Sequence, residues 1–172
     1  MKKIKRLTAL LLVMVIAFSA TTTTYAACAA PAKVIKAAER CINENNRCIV
    51  VDNTAGKVYL LKKCKGKWTI KKDFRCTVGD YVNPKKHYHL LRNGDTDKLY
   101  YYEGGKMFSY GIGYDCYEEA PVTMKRFHSY GEKGGRTYKT VRHNPNGIGM
   151  CIDNAYYIWR YYGDGTAVMG VN

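Results

Sequence analysis

A mostly β domain with a minor helical part is what this sequence predicts, on three observations. Tyrosine is abundant, with 16 residues, and Val, Ile and Thr recur in short runs, a composition suited to pleated, half-buried strands. Turn-forming groups at Asn53 to Gly56, Lys65-Gly66 and Gly104-Gly105 cut those runs into pieces of strand length. Helical spacing of apolar residues occurs in only two stretches, around Val34 and around Ile158.

Residues 1–26 have the three-part pattern of a secretory signal peptide: Lys2, Lys3, Lys5 and Arg6, then the apolar run Leu7 to Ala20, then small residues around Thr24-Tyr25-Ala26. Cleavage is expected after Ala26. The apolar run is shorter than the roughly 20 residues that span a bilayer, so no membrane span is expected after the signal is removed. Cys28 lies near the cut, but Tyr25 occupies the place where a lipid-attachment site takes an aliphatic residue. The chain beyond Ala26 has the length of one domain.

Segment 27–47 is expected to hold a short leading helix from Ala32 to Asn43. Val34, Ile35, Ala38, Cys41 and Ile42 form its apolar side, and Lys33, Lys36, Glu39 and Arg40 its polar side. The main domain is then 48–172. Strands over Cys48 to Asp52, Lys57 to Lys63 and Lys67 to Val78 form a meander in which Val58 and Leu60 share a face. Gly79 and Asn83-Pro84 interrupt it. A strand over His87 to Leu90 and a hairpin of Leu99 to Glu103 with Lys106 to Tyr110 come next. After Met150 the period changes: Asp153 is the expected cap of a helix carrying Ala155, Ile158, Trp159 and Tyr162 and ending near Gly163. Gly165-Thr166-Ala167-Val168 opens a last short strand, and the sheet is expected to be mostly antiparallel.

Charge and cysteine content narrow the function classes. The first 26 residues hold four of the 28 Lys and Arg and none of the 14 Asp and Glu, so the remainder carries a formal +10. Outside a cell such a charge favours anionic wall polymers or lipid headgroups over nucleic acid, and simple solubility explains it equally well. Cys28, Cys41, Cys48, Cys64, Cys76, Cys116 and Cys151 are an odd set, so at least one lacks an intrachain partner. Cys41 and Cys48 are near enough in sequence to pair. Cys64 and Cys76 are not suited to each other, because the Lys65-Gly66 turn puts them at opposite ends of a hairpin. No Cys-x-x-Cys pair has zinc spacing; His87 and His89 alternate and could share a metal with His128 or His143, but an exposed strand pair is the simpler reading. No cofactor is expected. Tyr100, Tyr101 and Tyr102 are either an exposed aromatic surface or a buried strand and its neighbours.

Four stretches together resemble the catalytic domain of the L,D-transpeptidase (YkuD-like) family of bacterial cell-wall enzymes. The first is Ile49-Val50-Val51-Asp52, Lys57-Val58-Tyr59-Leu60, Gly66-Lys67-Trp68 and Cys76-Thr77-Val78-Gly79. The second, Asn83-Pro84-Lys85-Lys86-His87-Tyr88-His89-Leu90, is similar to the family's Thr-Pro-x-Gly-x-Phe-x-Ile with its Thr and Gly replaced. The third, Phe127-His128-Ser129, is like the family's Phe-His-Ser. The fourth begins after fifteen intervening residues from His128: Asn144-Pro145-Asn146-Gly147-Ile148-Gly149-Met150 stands where the family has Ser/Thr-His-Gly-Cys-Ile-Arg-Met/Leu. Downstream, Asn154-Ala155 and Gly165-Thr166-Ala167-Val168 keep the register without a gap. The likeness therefore covers Ile49 to Val168.

The resemblance implies a β-sandwich or meander with a short helix after the site motif. It also implies an acyl transfer in which a Cys thiolate, activated by a His, attacks a carbonyl of a peptidoglycan stem peptide. Carried over residue by residue, the family His is His128, the Cys position is Gly147 and the Arg position is Gly149, with Ser129, Asn144 and Asn146 as substrate-side candidates. A glycine cannot form the thioester. The resemblance thus points to an exported, cell-wall-associated protein that binds peptidoglycan or an anionic wall polymer without catalysis. Two alternatives stay open: an active transpeptidase using a displaced thiol, Cys151 first and Cys116 second, and an unrelated small secreted binding protein held by disulfides. Oligomeric state is not legible.

Overall fold

The computed structural model describes residues 31–42, 45–79, 81–91, 97–103, 106–116, 125–130 and 147–172, with the backbone alone for 97–103, 106–109, 115–116 and 130. The expected signal peptide, Cys28, His143, Asn144, Pro145 and Asn146 lie outside the described residues. Helix α1 (Ala32–Arg40) is followed by β1 (Arg47–Asp52), β2 (Lys57–Cys64), β3 (Lys67–Arg75), β4 (Thr77–Val78), β5 (Tyr88–Leu91), β6 (Asp97–Glu103), β7 (Lys106–Cys116), β8 (Lys125–Tyr130) and β9 (Ile148–Met150). Helix α2 (Ile152–Tyr161) and β10 (Ala167–Val171) complete it. The strands join in one ten-stranded sheet ordered β3-β2-β1-β10-β5-β7-β8-β9-β4, with β6 paired to β7. β3 and β4, at the two ends of that order, are consecutive in sequence, so the sheet curls nearly closed.

Period-2 alternation explains how one sheet serves two cores. Ile49 and Val51 of β1, Val58 and Leu60 of β2 and Val168 of β10 point into the curl. They meet Leu90, Ile112, Tyr114, Phe127 and Ile148 there. The intervening residues, Cys48 and Val50, Tyr59 and Leu61, Ala167 and Met169, point outward and are covered by α1 through Val34, Ala37 and Ala38. Strands buried on both faces read as continuous apolar runs, which is why β1 and β10 carry so little polar alternation. Burying Val34 fully contributes about 1.5–3 kcal/mol and seats the helix.

Several expectations are sharpened. The sheet is mostly antiparallel as expected, but β1 pairs with β10, and β8 with β9, in parallel. The expected single strand Lys67 to Val78 is two: the Cys76 N–H carries the β2–β3 register one step further by donating to Gly56 O at 2.8 Å, the partner chain is in the Asn53 to Gly56 turn beyond that point, and β4 pairs with β9 instead. Helix α1 stops at Arg40, short of Asn43, with Cys41 extended at its C-terminal cap. Helix α2 is capped by Cys151, not Asp153, which falls in the first turn, where a carboxylate suits the positive end of the helix dipole. It ends at Tyr161, and the last strand starts at Ala167. β7 runs on past Tyr110 to Cys116. His89 lies in β5 and His87 just before it, both half-buried. Tyr100, Tyr101 and Tyr102 lie in β6. No described helix is long and apolar enough to cross a membrane.

An ion pair between a half-exposed lysine and a buried aspartate fastens α1 to the sheet. Asp52, 1% exposed, receives Lys33 Nζ on Oδ2 at 2.6 Å and the Ala55 N–H on Oδ1 at 2.9 Å. Burial works against its charged form, but the Lys33 bond and the Ala55 N–H together outweigh burial and hold its pKa below the ordinary 3.8. A depressed carboxyl pKa contributes stability that is complete above 3.8 and is lost as the pH falls through the lower folded-state value. Lys33→Met is therefore expected to cost about 1–2 kcal/mol at pH 7, limited by the screening of a half-exposed lysine, and progressively less below that range. Urea unfolding at pH 7 and pH 3 checks both size and sign.

Candidate functional site

The strands that carry the motif residues lie side by side. β8 and β9 pair in parallel with Phe127 opposite Ile148, His128 opposite Gly149 and Ser129 opposite Met150. Phe127, Ile148 and Met150 belong to the inner core, so alternation turns His128 and Gly149 to the other face of the sheet. His128 is nonetheless 0% exposed. Ser129 is also fully buried, within β8.

Gly147 immediately precedes β9, and its carbonyl accepts the Gly79 N–H at 2.9 Å. Its φ is +125°, a conformation that side chains rarely adopt. A Cβ placed on it would stand 3.0 Å from both Cδ2 and Nε2 of His128 and 2.5 Å from the carbonyl oxygen of Arg126. The α-carbon of residue 147 thus sits against the Nε2 edge of the imidazole, and main chain of β8 fills the direction in which a side chain would leave. The structure brings together His128, Gly147 and Gly149. It adds two backbone groups that motif reading did not reveal, Arg126 O and Gly79 N–H; a main-chain atom leaves no mark in residue type.

Cys151 is not across from His128. It follows β9 as the half-buried N-cap of α2, where its carbonyl accepts the Asn154 and Ala155 N–H groups, each at 3.1 Å. Its thiol makes no capping bond. Cys116 ends β7 opposite Tyr88. The other described thiols lie elsewhere. Cys64 is exposed at the β2–β3 turn, opposite Lys67. Cys76 is buried, and burial followed by the nearby Asp52 charge pushes its pKa up to about 12, which leaves it almost wholly protonated near neutrality. Among the described residues no three of His, Cys, Asp and Glu gather as a metal site.

A bulge shapes the neighbouring strand. The β7–β8 register shifts between Ser109 and Ile112, and Tyr110 inside the shift has φ 54°. Its ring packs 5.1 Å from Tyr156 and 5.8 Å from Trp159, so the bulge couples β7 to α2 just beyond the site.

No protein-family model matches the sequence, and no curated protein matches it. Solved structures do. A Clostridium acetobutylicum protein described as a fused Zn-dependent amidase/peptidase/peptidoglycan-binding domain-containing protein superposes with TM-score 0.54 at 16% identity, over 79% of this chain and 57% of that one. An L,D-transpeptidase from Stackebrandtia nassauensis gives 0.51 at 10% identity, over 78% and 60%. The L,D-transpeptidase LdtMt1, solved with imipenem, gives 0.51 at 10% identity, over 74% and 59%. This chain spans less than two thirds of the length of each. At such identities the shared property is architecture: the chain has an L,D-transpeptidase-like, mostly β fold.

Proposed function

We propose that this chain is an exported, cell-wall-associated protein that keeps the L,D-transpeptidase-like fold, binds peptidoglycan and performs no acyl transfer. The observation that carries the proposal is residue 147. A glycine lies against His128 Nε2, with Arg126 O 2.5 Å from where its Cβ would be, so residue 147 offers the base no nucleophile to deprotonate. Acyl transfer by this route needs a thiolate at hydrogen-bonding distance from the base, and a glycine does not supply one. Support for wall binding comes from the structural neighbours, two named as L,D-transpeptidases and one as containing a peptidoglycan-binding domain, and from the formal +10 beyond residue 26. Export rests on the leading basic and apolar pattern of residues 1–26.

Two measurements test it. After incubation with a carbapenem or a tetrapeptide stem, the intact mass is expected to be unchanged; an adduct mapped to Cys151 or Cys116 overturns the inactive reading and assigns the acting thiol. With purified sacculi the protein is expected to sediment at moderate salt and to be released as salt rises, because a basic surface contributes to the contact. Failure to sediment at any ionic strength overturns the wall-binding reading in favour of an unrelated secreted binding protein.

A further inference from the structure

Helix α1 ends where the chain turns back toward the sheet, and a cysteine stands on each side of that turn. Cys41 is the C-terminal cap of the helix, and Cys48 is the second residue of β1, with six residues between them. Alternation along β1 sends Cys48 to the outer face with Val50, into the cluster that α1 covers, where it is fully buried. Cys41, half-buried, packs against that same cluster from the helix end, its Sγ 2.9 Å from Ala38 O. Two thiols from different elements therefore converge at one helix–sheet seam.

We propose that Cys41 and Cys48 form a disulfide that ties the end of α1 to β1 once the chain meets a thiol-oxidising environment. Their proximity also shows electrostatically: a hydrogen bond with Cys41, and then burial, push the Cys48 thiol pKa well above its ordinary value. The pairing excludes a wrong alternative, since Cys64 and Cys76 stand at opposite ends of the β2–β3 ladder.

The chemistry balances with a low-molecular-weight disulfide, R–S–S–R, as oxidant. The Cys41 thiolate attacks one sulfur of R–S–S–R, that S–S bond breaks, and the departing R–S⁻ takes up the proton Cys41 gave. Cys48 then loses its proton and attacks the Cys41 sulfur, expelling the second R–S⁻, which is protonated in turn. Two protein thiols are oxidised and one R–S–S–R is reduced to two R–SH. Because the folded seam disfavours the Cys48 thiolate, the second step belongs to folding, before the seam has closed. The bridge would hold the helix that carries Lys33 onto Asp52, making α1 a covalent part of the sheet. This inference does not depend on the wall-binding proposal, because its readout is a bond within the protein.

The test is to refold the reduced, denatured protein in a mixture of oxidised and reduced glutathione, block the remaining thiols and digest with trypsin without reductant. Cleavage after Arg40, Arg47 and Lys57 is expected to release residues 41–47 joined to residues 48–57, a pair that separates on reduction. Reduction is expected to lower the melting temperature of the natural chain by about 5 °C or more and to leave that of Cys41→Ser unchanged. Recovery of Cys41 and Cys48 both blocked, or of either joined to a different cysteine, overturns the proposal. The mapping is done on the natural chain, so it decides the question even if Cys41→Ser folds poorly.

Discussion

Gly147→Cys is expected to leave the protein without acyl-transfer activity and to destabilise it by about 3 kcal/mol. Two costs add. A non-glycine residue held at φ +125° carries backbone strain of about 1–3 kcal/mol. The new Cβ must also displace Arg126 O from 2.5 Å, and that oxygen belongs to a strand paired on both sides, so it cannot swing aside as a side-chain tip would. Overpacking of this kind costs about 1–3 kcal/mol. Denaturant unfolding measures the loss, and Gly147→Ala is expected to match it, which assigns the cost to Cβ and not to sulfur. Intact mass after carbapenem treatment measures the chemistry. An acylated Gly147→Cys protein would mean that the main chain around residue 147 relaxes, and that catalysis was lost through a single side chain.

Gly170→Ala is expected to do at least as much damage far from that site. Gly170 lies in β10 opposite Val51, and a Cβ there would stand 1.8 Å from Val82 O and 2.7 Å from Val82 C. The crossing segment cannot retreat cheaply. The Asn53 side chain holds it through both of its polar ends, donating from Nδ2 to Val82 O at 2.9 Å and accepting the Val82 N–H on Oδ1 at 3.1 Å. Asn53 Nδ2 also reaches Val171 O at 3.1 Å, so the segment and the strand share one clamp. The expected loss is about 3 kcal/mol or more, read as reduced soluble yield or a lowered unfolding midpoint. Gly163→Ala, with no atom within 4 Å of its Cβ, serves as the control and is expected to stay within about 0.5 kcal/mol of the natural chain.

The residues most legible in sequence were those whose role depends on local pattern. Alternation in β1 and β2, the turn at Lys65-Gly66 and the helical spacing before Arg40 and after Met150 all express short-range periodicity, and each element formed near its expected place. What pattern could not give was long-range partnership. Thr77 and Val78 continue the extended run of β3 residue by residue, yet they pair with β9, because the β2 side ends at the Asn53 to Gly56 turn and Gly56 is the last residue to receive a bond from that run. Asp153 has the chemistry of a cap, but the helix begins one residue before it, a boundary decided by where β9 ends. At the site, the motif spacing singled out His128 and Gly147, which the structure places side by side, while the positive φ of Gly147 and the obstruction by Arg126 O arise from how β8 and β9 lie together.

The place of β10 in the sheet has a consequence for how the molecule assembles. It lies between β1 and β5, and it supplies Val168 to the inner core and Ala167 and Met169 to the outer one. Until that strand arrives, β1 has an open edge, α1 has only part of its floor, and the curl cannot close around the aromatic residues of β7 and β8. Pairing strands so distant along the chain carries a large loop-closure cost before any contact compensates it. Both layers are therefore completed only when β10 pairs, and neither the inner curl nor the seat of α1 closes from the strands up to β9 alone.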